Sequence, residues 1–123
     1  MMAGQLHAVE KKIRITGIYS NLVYNQEGGD LLGNELFIVS AQEHGFFAFF
    51  QSWAGGTTAP VVVPVQVEGD RVTFIIPAPS LGEGSYEGRI SGTGFDGKFR
   101  YPLASGGFRE EPIQLKRKKS YWQ

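Results

Sequence analysis

The stretch "ITGIYSN", Ile15 to Asn21, decides the fold. Its odd positions Ile15, Gly17 and Tyr19 continue a row begun by Ile13, while Thr16, Ile18 and Ser20 point the other way, as the period of two in an extended strand requires. Gly17 is therefore a missing side chain on the apolar face. Glycine weakens a flat strand, and it recurs where a sheet bends sharply or a bulky neighbour needs room. The same device returns downstream. Tyr86, Gly88 and Ile90 oppose Glu87, Arg89 and Ser91, and Phe95, Gly97, Phe99 and Tyr101 oppose Asp96, Lys98 and Arg100. Val61, Val63, Val65 and Val67 likewise oppose Val62, Pro64, Gln66 and Glu68. One face is apolar, the other is wet, and glycines sit on the apolar one.

Short runs of β-branched and aromatic residues punctuated by Gly, Pro and Asp predict eight strands: Lys12–Leu22, Leu32–Ala41, Phe46–Trp53, Val61–Glu68, Arg71–Pro77, Ser85–Ser91, Phe95–Tyr101 and Pro112–Ser120. The connectors, among them "NQEGGD", "AGGTTAP", "APSLGEG" and "ASGGFREE", are turn chemistry, and "VEGDRV" and "GTG" are the sharpest hairpin signals. Short connectors make consecutive strands antiparallel neighbours. No stretch repeats apolar residues at helical spacing. The expected fold is all-β, a single antiparallel meander of about eight strands closed as a small up-and-down β-barrel, and a β-sandwich satisfies the same alternation. Pro64, which cannot donate to a ladder, marks a local opening and leans toward the sandwich. Residues 1–11 read as a flexible N-terminal arm and 12–123 as one β-barrel domain.

Size and charge bound the function. A chain of 123 residues supports one core. Its 12 basic and 12 acidic side chains cancel, so no global field selects nucleic acid or an anionic membrane. The absence of cysteine excludes disulfides, thiolate metal sites and a cysteine nucleophile. No apolar run approaches the ~20 residues of a membrane-spanning helix. The start "MMAGQLHAVEKK" has no apolar core of a secretory signal, so it reads as cytoplasmic as given, or exported if a signal was removed.

Thr16, Gly17, Tyr19 and Asn21 resemble the opening strand of the calycin group, the lipocalins, fatty-acid-binding proteins and avidins, where a Gly-x-Trp stands at the start of the first strand. Tyr19 takes the place of the Trp. The resemblance implies a barrel that holds a ligand, with a basic residue of the last strand packed across the aromatic near the closed end. Arg117, in the row of Ile113 and Leu115, is that residue, and an Arg over a Tyr face is worth ~0.5–2 kcal/mol. Asn21 falls where avidins contact their ligand.

Other features have simpler readings. "HGFFAFFQSW" puts Phe47, Phe49, Gln51 and Trp53 on one face and Phe46, Ala48, Phe50 and Ser52 on the other, so both faces are aromatic. The outer one suits a homodimer through Phe46–Trp53. Gln51, an amide among aromatics, is either a ligand contact or a group at the barrel mouth. His7 and His44 have no partners at metal-site spacing, and the carboxylates Glu27, Asp30, Glu83, Glu87, Glu110 and Glu111 read as hydrated turns. "GEGSYEG" and "GTGFDG" precede strands rather than helices and are hairpin turns, not phosphate loops. Alternation sends Lys116 and Lys118 outward as an ordinary wet face, with no nucleic-acid partner expected. Trp122 is read as covering the barrel end.

Three function classes follow. The first is a non-catalytic binding protein holding a small, mostly apolar ligand, with Tyr19, Asn21, Gln51, Tyr86, Tyr101 and Arg117 as its polar or amphipathic wall. The second is an interaction or inhibitor module with a packed barrel. The third is a small barrel enzyme. No catalytic residue, metal or cofactor is expected.

Overall fold

Alternating faces and glycine-rich turns become nine strands in the computed structural model, which describes residues 14–41, 43, 45–54, 60–76 and 84–119. They are β1 (Gly17–Ser20), β2 (Val23–Asn25), β3 (Asp30–Ser40), β4 (Phe46–Ala54), β5 (Val61–Glu68), β6 (Arg71–Ile76), β7 (Gly84–Ile90), β8 (Gly94–Pro102) and β9 (Phe108–Lys118). No helix occurs among the described residues, so none there is long and apolar enough to cross a membrane. The N-terminal arm, His7, His44, Glu83 and Trp122 lie outside the described residues, as does the Trp53 side chain.

Every strand from β2 to β9 pairs antiparallel with its sequence neighbour, and β1 pairs with both β3 and β9, which closes the sheet into a barrel. This is the meander the short connectors require. The β5–β6 hairpin is the tightest join. Its two-residue turn places Gly69 first with φ 64°, a left-handed position that glycine adopts without strain.

Several boundaries differ from the sequence reading, β1 opening at Gly17 and β3 at Asp30 among them, and two bear on the site. The first strand stops at Ser20 and resumes as β2, because Asn21 turns aside: its N–H donates to Asn34 O at 3.1 Å and its Oδ1 accepts from Asn34 N–H at 2.6 Å. The last strand begins at Phe108 rather than Pro112, so "FREE" is strand and not turn. Backbone pairing with β8 fixes that stretch, through Arg100↔Glu110 and Tyr101↔Arg109, where alternation of polarity gives no signal.

Tyr19, Leu36, Ile38, Ala48, Phe50, Val63, Val65, Val72, Phe74, Tyr86, Ile90, Phe95, Ile113 and Leu115 fill the interior. The inner glycines make that filling possible. A Cβ on Gly88 would fall 2.7 Å from Phe95 Cζ and 2.8 Å from the Cα of Gly97, its partner across the ladder, so the two strands touch where larger residues would hold them apart. At Gly17 a Cβ would meet Arg117 Nη1 at 2.8 Å. The opening glycine thus makes room for the guanidinium, which lies 4.8 Å from the centroid of the Tyr19 ring. Arg117 also donates to the carbonyls of Arg14 (2.6 Å), Thr16 (3.2 Å) and Ser91 (3.3 Å), and Tyr19 donates its hydroxyl proton to Ile15 O at 2.6 Å. One end of the barrel is closed by this cluster.

The barrel is not uniformly laced. The β3–β4 and β8–β9 ladders each have nine residue pairs, whereas β1–β9 and β5–β6 have three each. Both short ladders lie at the closed end, which is also tied by Ile90 N–H to Asp70 O (2.7 Å) and Arg117 N–H to Thr93 O (2.9 Å). Toward the other end two half-sheets, β1–β5 and β6–β9, diverge. Pro64 marks one seam, as its missing donor requires: the β5–β6 ladder ends at Gln66↔Thr73, and an apolar cleft of about 290 Å³ opens beside Val63, Pro64, Phe74 and Ile75.

Candidate functional site

The open end is built around a ladder of rings. Register places Phe74, Tyr86 and Phe99 side by side on β6, β7 and β8. Tyr86 stacks on Phe74 at 5.0 Å between centroids and on Phe99 at 4.4 Å, and Phe50 reaches it from the facing sheet at 4.8 Å. Offset stacking at such distances adds roughly 0.5–1.5 kcal/mol per pair beyond area burial. Tyr86 fits because its inner-face neighbours on β7 are Gly84 and Gly88. A Cβ on Gly84 would stand 2.6 Å from Phe99 Cζ, so this glycine is what lets the Phe99 ring lie down.

Above the ladder the wall turns polar. Tyr101, two residues along β8, stacks on Phe99 at 5.1 Å and donates its hydroxyl to Glu111 Oε2 at 3.2 Å. Arg109 Nε lies 3.7 Å from the same oxygen, and both charged groups are half-exposed at the rim. Such a pair contributes little to stability, on the order of 0–1 kcal/mol. Its consequence is to hold a carboxylate over the rings.

The facing half-sheet contributes Asn34 and Ser52, which continue the inner rows of Leu36 and Phe50 toward the mouth. They are cross-strand partners, and the Ser52 hydroxyl donates to Asn34 Oδ1. The Asn34 amide nitrogen has no hydrogen-bond partner among the described residues.

Tyr86 is the central group. It is 5% exposed, and unlike the Tyr19 hydroxyl, its own has no hydrogen-bond partner among the described residues. Burial pushes its pKa well above the ordinary tyrosine value, and the negative charge of Glu111 pushes it further the same way. Tyr86 is thus a neutral donor whose ring is buried among Phe50, Phe74 and Phe99 and whose hydroxyl end is left to the mouth.

The six wall residues read from the sequence are divided by the structure. Tyr86 and Tyr101 come together at the mouth, and Asn21 stands at its rim, tied to Asn34. Tyr19 and Arg117 form the closed end instead. Gln51 stands on the outer face, paired with Glu35, in the row of Phe47 and Phe49. Phe99, Glu111, Asn34 and Ser52 belong to the site and were not read from sequence. Asn34 had a signal: it is a polar residue in the inner row of Leu36 and Ile38. Glu111 had none, because its segment reads as turn.

Fold and mouth together define a small closed antiparallel β-barrel, compatible with the calycin architecture, with one end clamped by an arginine on a tyrosine and the other lined by rings and polar groups. No family model, no curated protein and no solved structure matches the chain. Among the described residues no three His, Asp or Glu side chains are grouped to hold a metal ion.

Proposed function

We propose that this protein is a non-catalytic carrier of a small, mostly apolar ligand held at the open mouth, as in the lipocalin and avidin barrels it resembles. The observation that carries this reading is the ring ladder of Phe74, Tyr86 and Phe99 at the open end, topped by Tyr101 and Glu111, with a Tyr86 hydroxyl that no described residue binds. Pockets of this kind combine apolar walls with a few placed polar atoms. Phe99 and Tyr101 supply ring faces, and Glu111, Tyr86 and the Asn34 amide fix orientation. The ligand class is a flat, largely apolar molecule with a hydrogen-bond donor toward Glu111 and an acceptor toward Tyr86.

Native mass spectrometry of protein purified without denaturation, repeated under denaturing conditions, tests it. A reproducible small mass is expected that is lost on denaturing, and Tyr86→Phe should lower its occupancy several-fold. A bare chain in the native spectrum would overturn the carrier reading.

We propose further that the outer face of β3, β4 and β5 seats a second copy of this chain. Two adjacent rows, Phe37–Phe49–Val62 and Val39–Phe47–Pro64, carry no charge, and Val39, Phe47 and Val62 are exposed. A flat uncharged sheet face complements itself, and a molecule with balanced charge does not repel its copy at a distance.

A further inference from the structure

The outer face of β9 carries a groove of about 620 Å³ that shares only Asn21 with the mouth. Its floor is the row of Gln114, Lys116 and Lys118, one wall is the chain from Ser20 to Val23, and the other is the β7–β8 turn with Ser91 and Thr93. Register explains why the surface is hollow there. Lys116 stands between Ser20 on β1 and Gly94 on β8, a small residue on either side. Past Ser20 the chain leaves β9 to pair with β3 alone, which widens the trough.

The groove is rich in donors that no described residue uses. Lys116 and Lys118 form no salt bridge with any described residue, whereas Lys98 on the neighbouring strand has Glu110 at 3.5 Å. Ser20 is only 5% exposed; its oxygen accepts from Leu22 N–H at 3.1 Å, and its own proton has no acceptor among the described residues. Asn21 uses its oxygen on Asn34, which leaves its amide protons free to be given. Ser91 and Thr93 hydroxyls lie 3.0 Å apart, and Ser91 also has Gly94 O within 3.4 Å, so this wall holds its own protons and shapes the groove rather than supplying donors. Asp96 is the one carboxylate in the lining. Two ammonium groups against one carboxylate leave the lining itself positive, with Glu35 standing across the β1–β3 ladder from Ser20 as a further carboxylate beside it. Leu22 and Val23 add an apolar edge.

From these we infer that the groove is a second ligand site, taking the anionic head group, a phosphate monoester or a carboxylate, of a small organic molecule. Lysine suits this role as a compact charge with three movable donors. A ligand oxygen at Ser20 meets a buried proton that the fold leaves unpaired, which separates this groove from an ordinary wet strand face. The Leu22 and Val23 edge receives the organic part. Because the lysines reach solvent, their attraction is screened over about 8 Å at physiological salt, and affinity falls as salt rises.

The test is an NMR titration of the full chain with phenyl phosphate and, separately, with benzoate. Saturable shifts are expected at the amides of Ser20, Asn21, Thr93 and Lys116. Lys116→Gln combined with Lys118→Gln should weaken binding about tenfold, while Lys98→Gln leaves it unchanged. Ser20→Ala should weaken it with the charge intact. Response to phenyl phosphate alone assigns the head group to phosphate, to benzoate alone to carboxylate, and to both assigns it to any compact anion. Absence of saturation with either probe overturns the inference, as does binding that survives loss of both lysines. Shifts confined to Tyr86, Phe99 and Tyr101 would place the probe in the mouth and overturn the groove while leaving the carrier reading intact.

Discussion

Gly17 and Gly97 both omit an inner side chain, yet the space they leave is of different kinds. A Cβ at Gly17 meets the tip of Arg117 at 2.8 Å, and the guanidinium can swing away at the loss of its bonds to Arg14 O and Thr16 O. A Cβ at Gly97 would stand 2.6 Å from Gly88 Cα, which is backbone held in a ladder on both sides. A flexible tip gives way and a paired backbone does not. Gly17→Ala should therefore cost about 2–4 kcal/mol, one or two hydrogen bonds together with the strain of a side chain at φ 156°, and Gly97→Ala more than that, because its Cβ would overlap the Glu87 carbonyl as well as Gly88 Cα. Urea unfolding at constant slope measures both. The reverse order would mean that the Arg117 clamp is stiffer than the β7–β8 ladder. The presence of glycine at these positions was legible from alternation alone. Which neighbour occupies the space was legible only at Gly17, where the resemblance already set Arg117 across Tyr19.

At the scale of elements, β4 has the same ambiguity in sequence and in structure: both of its faces are apolar. Ala48 and Phe50 are inside, and Phe47 and Phe49 are outside between Val39, Phe37 and Val62. Phe37 and Phe49 rings stand 5.5 Å apart, tilted, so the outer row is already packed within one chain. Six residues a side fall well short of the ~20–30 of a standard interface, so the dimer should be weak and dissociate on dilution. Sedimentation equilibrium should show a concentration-dependent dimer in the wild type and a monomer at all concentrations in Phe47→Lys. A monomer in both would remove β4 as an interface. Reading the elements from sequence worked where one face was apolar and failed where neither was. β2, with Val23 and Tyr24 exposed, and the charged start of β9 were both lost, because backbone pairing rather than burial makes them strands. Part of the site was lost with them, since Glu111 lies in that start.

The whole molecule is two half-sheets joined firmly at one end and parted at the other. Two prolines mark where they part. Pro64 lies where β5 has only β4 as neighbour and Pro112 where β9 has only β8, positions at which a missing donor breaks no ladder. The barrel and the sandwich, both compatible with alternation, thus meet in one structure: closure at the Arg117 end makes it a barrel, and divergence makes the mouth. Each end holds a buried tyrosine, Tyr19 and Tyr86, and burial raises the pKa of both above the ordinary value of 10.0. At Tyr19 the charges of Arg117 and Arg14 oppose that rise, whereas at Tyr86 Glu111 adds to it. Below pH 10 the phenols hold their protons in folded and unfolded chains alike, and their contribution to stability is complete. Above it the unfolded chain releases protons that the folded chain retains, so unfolding becomes easier as pH rises toward the folded pKa. For Tyr86 the limiting slope is ~1.4 kcal/mol per pH unit. Tyr86→Phe removes that share while losing no internal hydrogen bond. Unfolding free energies from pH 9 to pH 11.5 should fall more steeply for the wild type than for Tyr86→Phe, with the divergence beginning near pH 10. Parallel curves would mean that Tyr86 ionises in the folded barrel, and that its hydroxyl is open to water rather than held for a ligand.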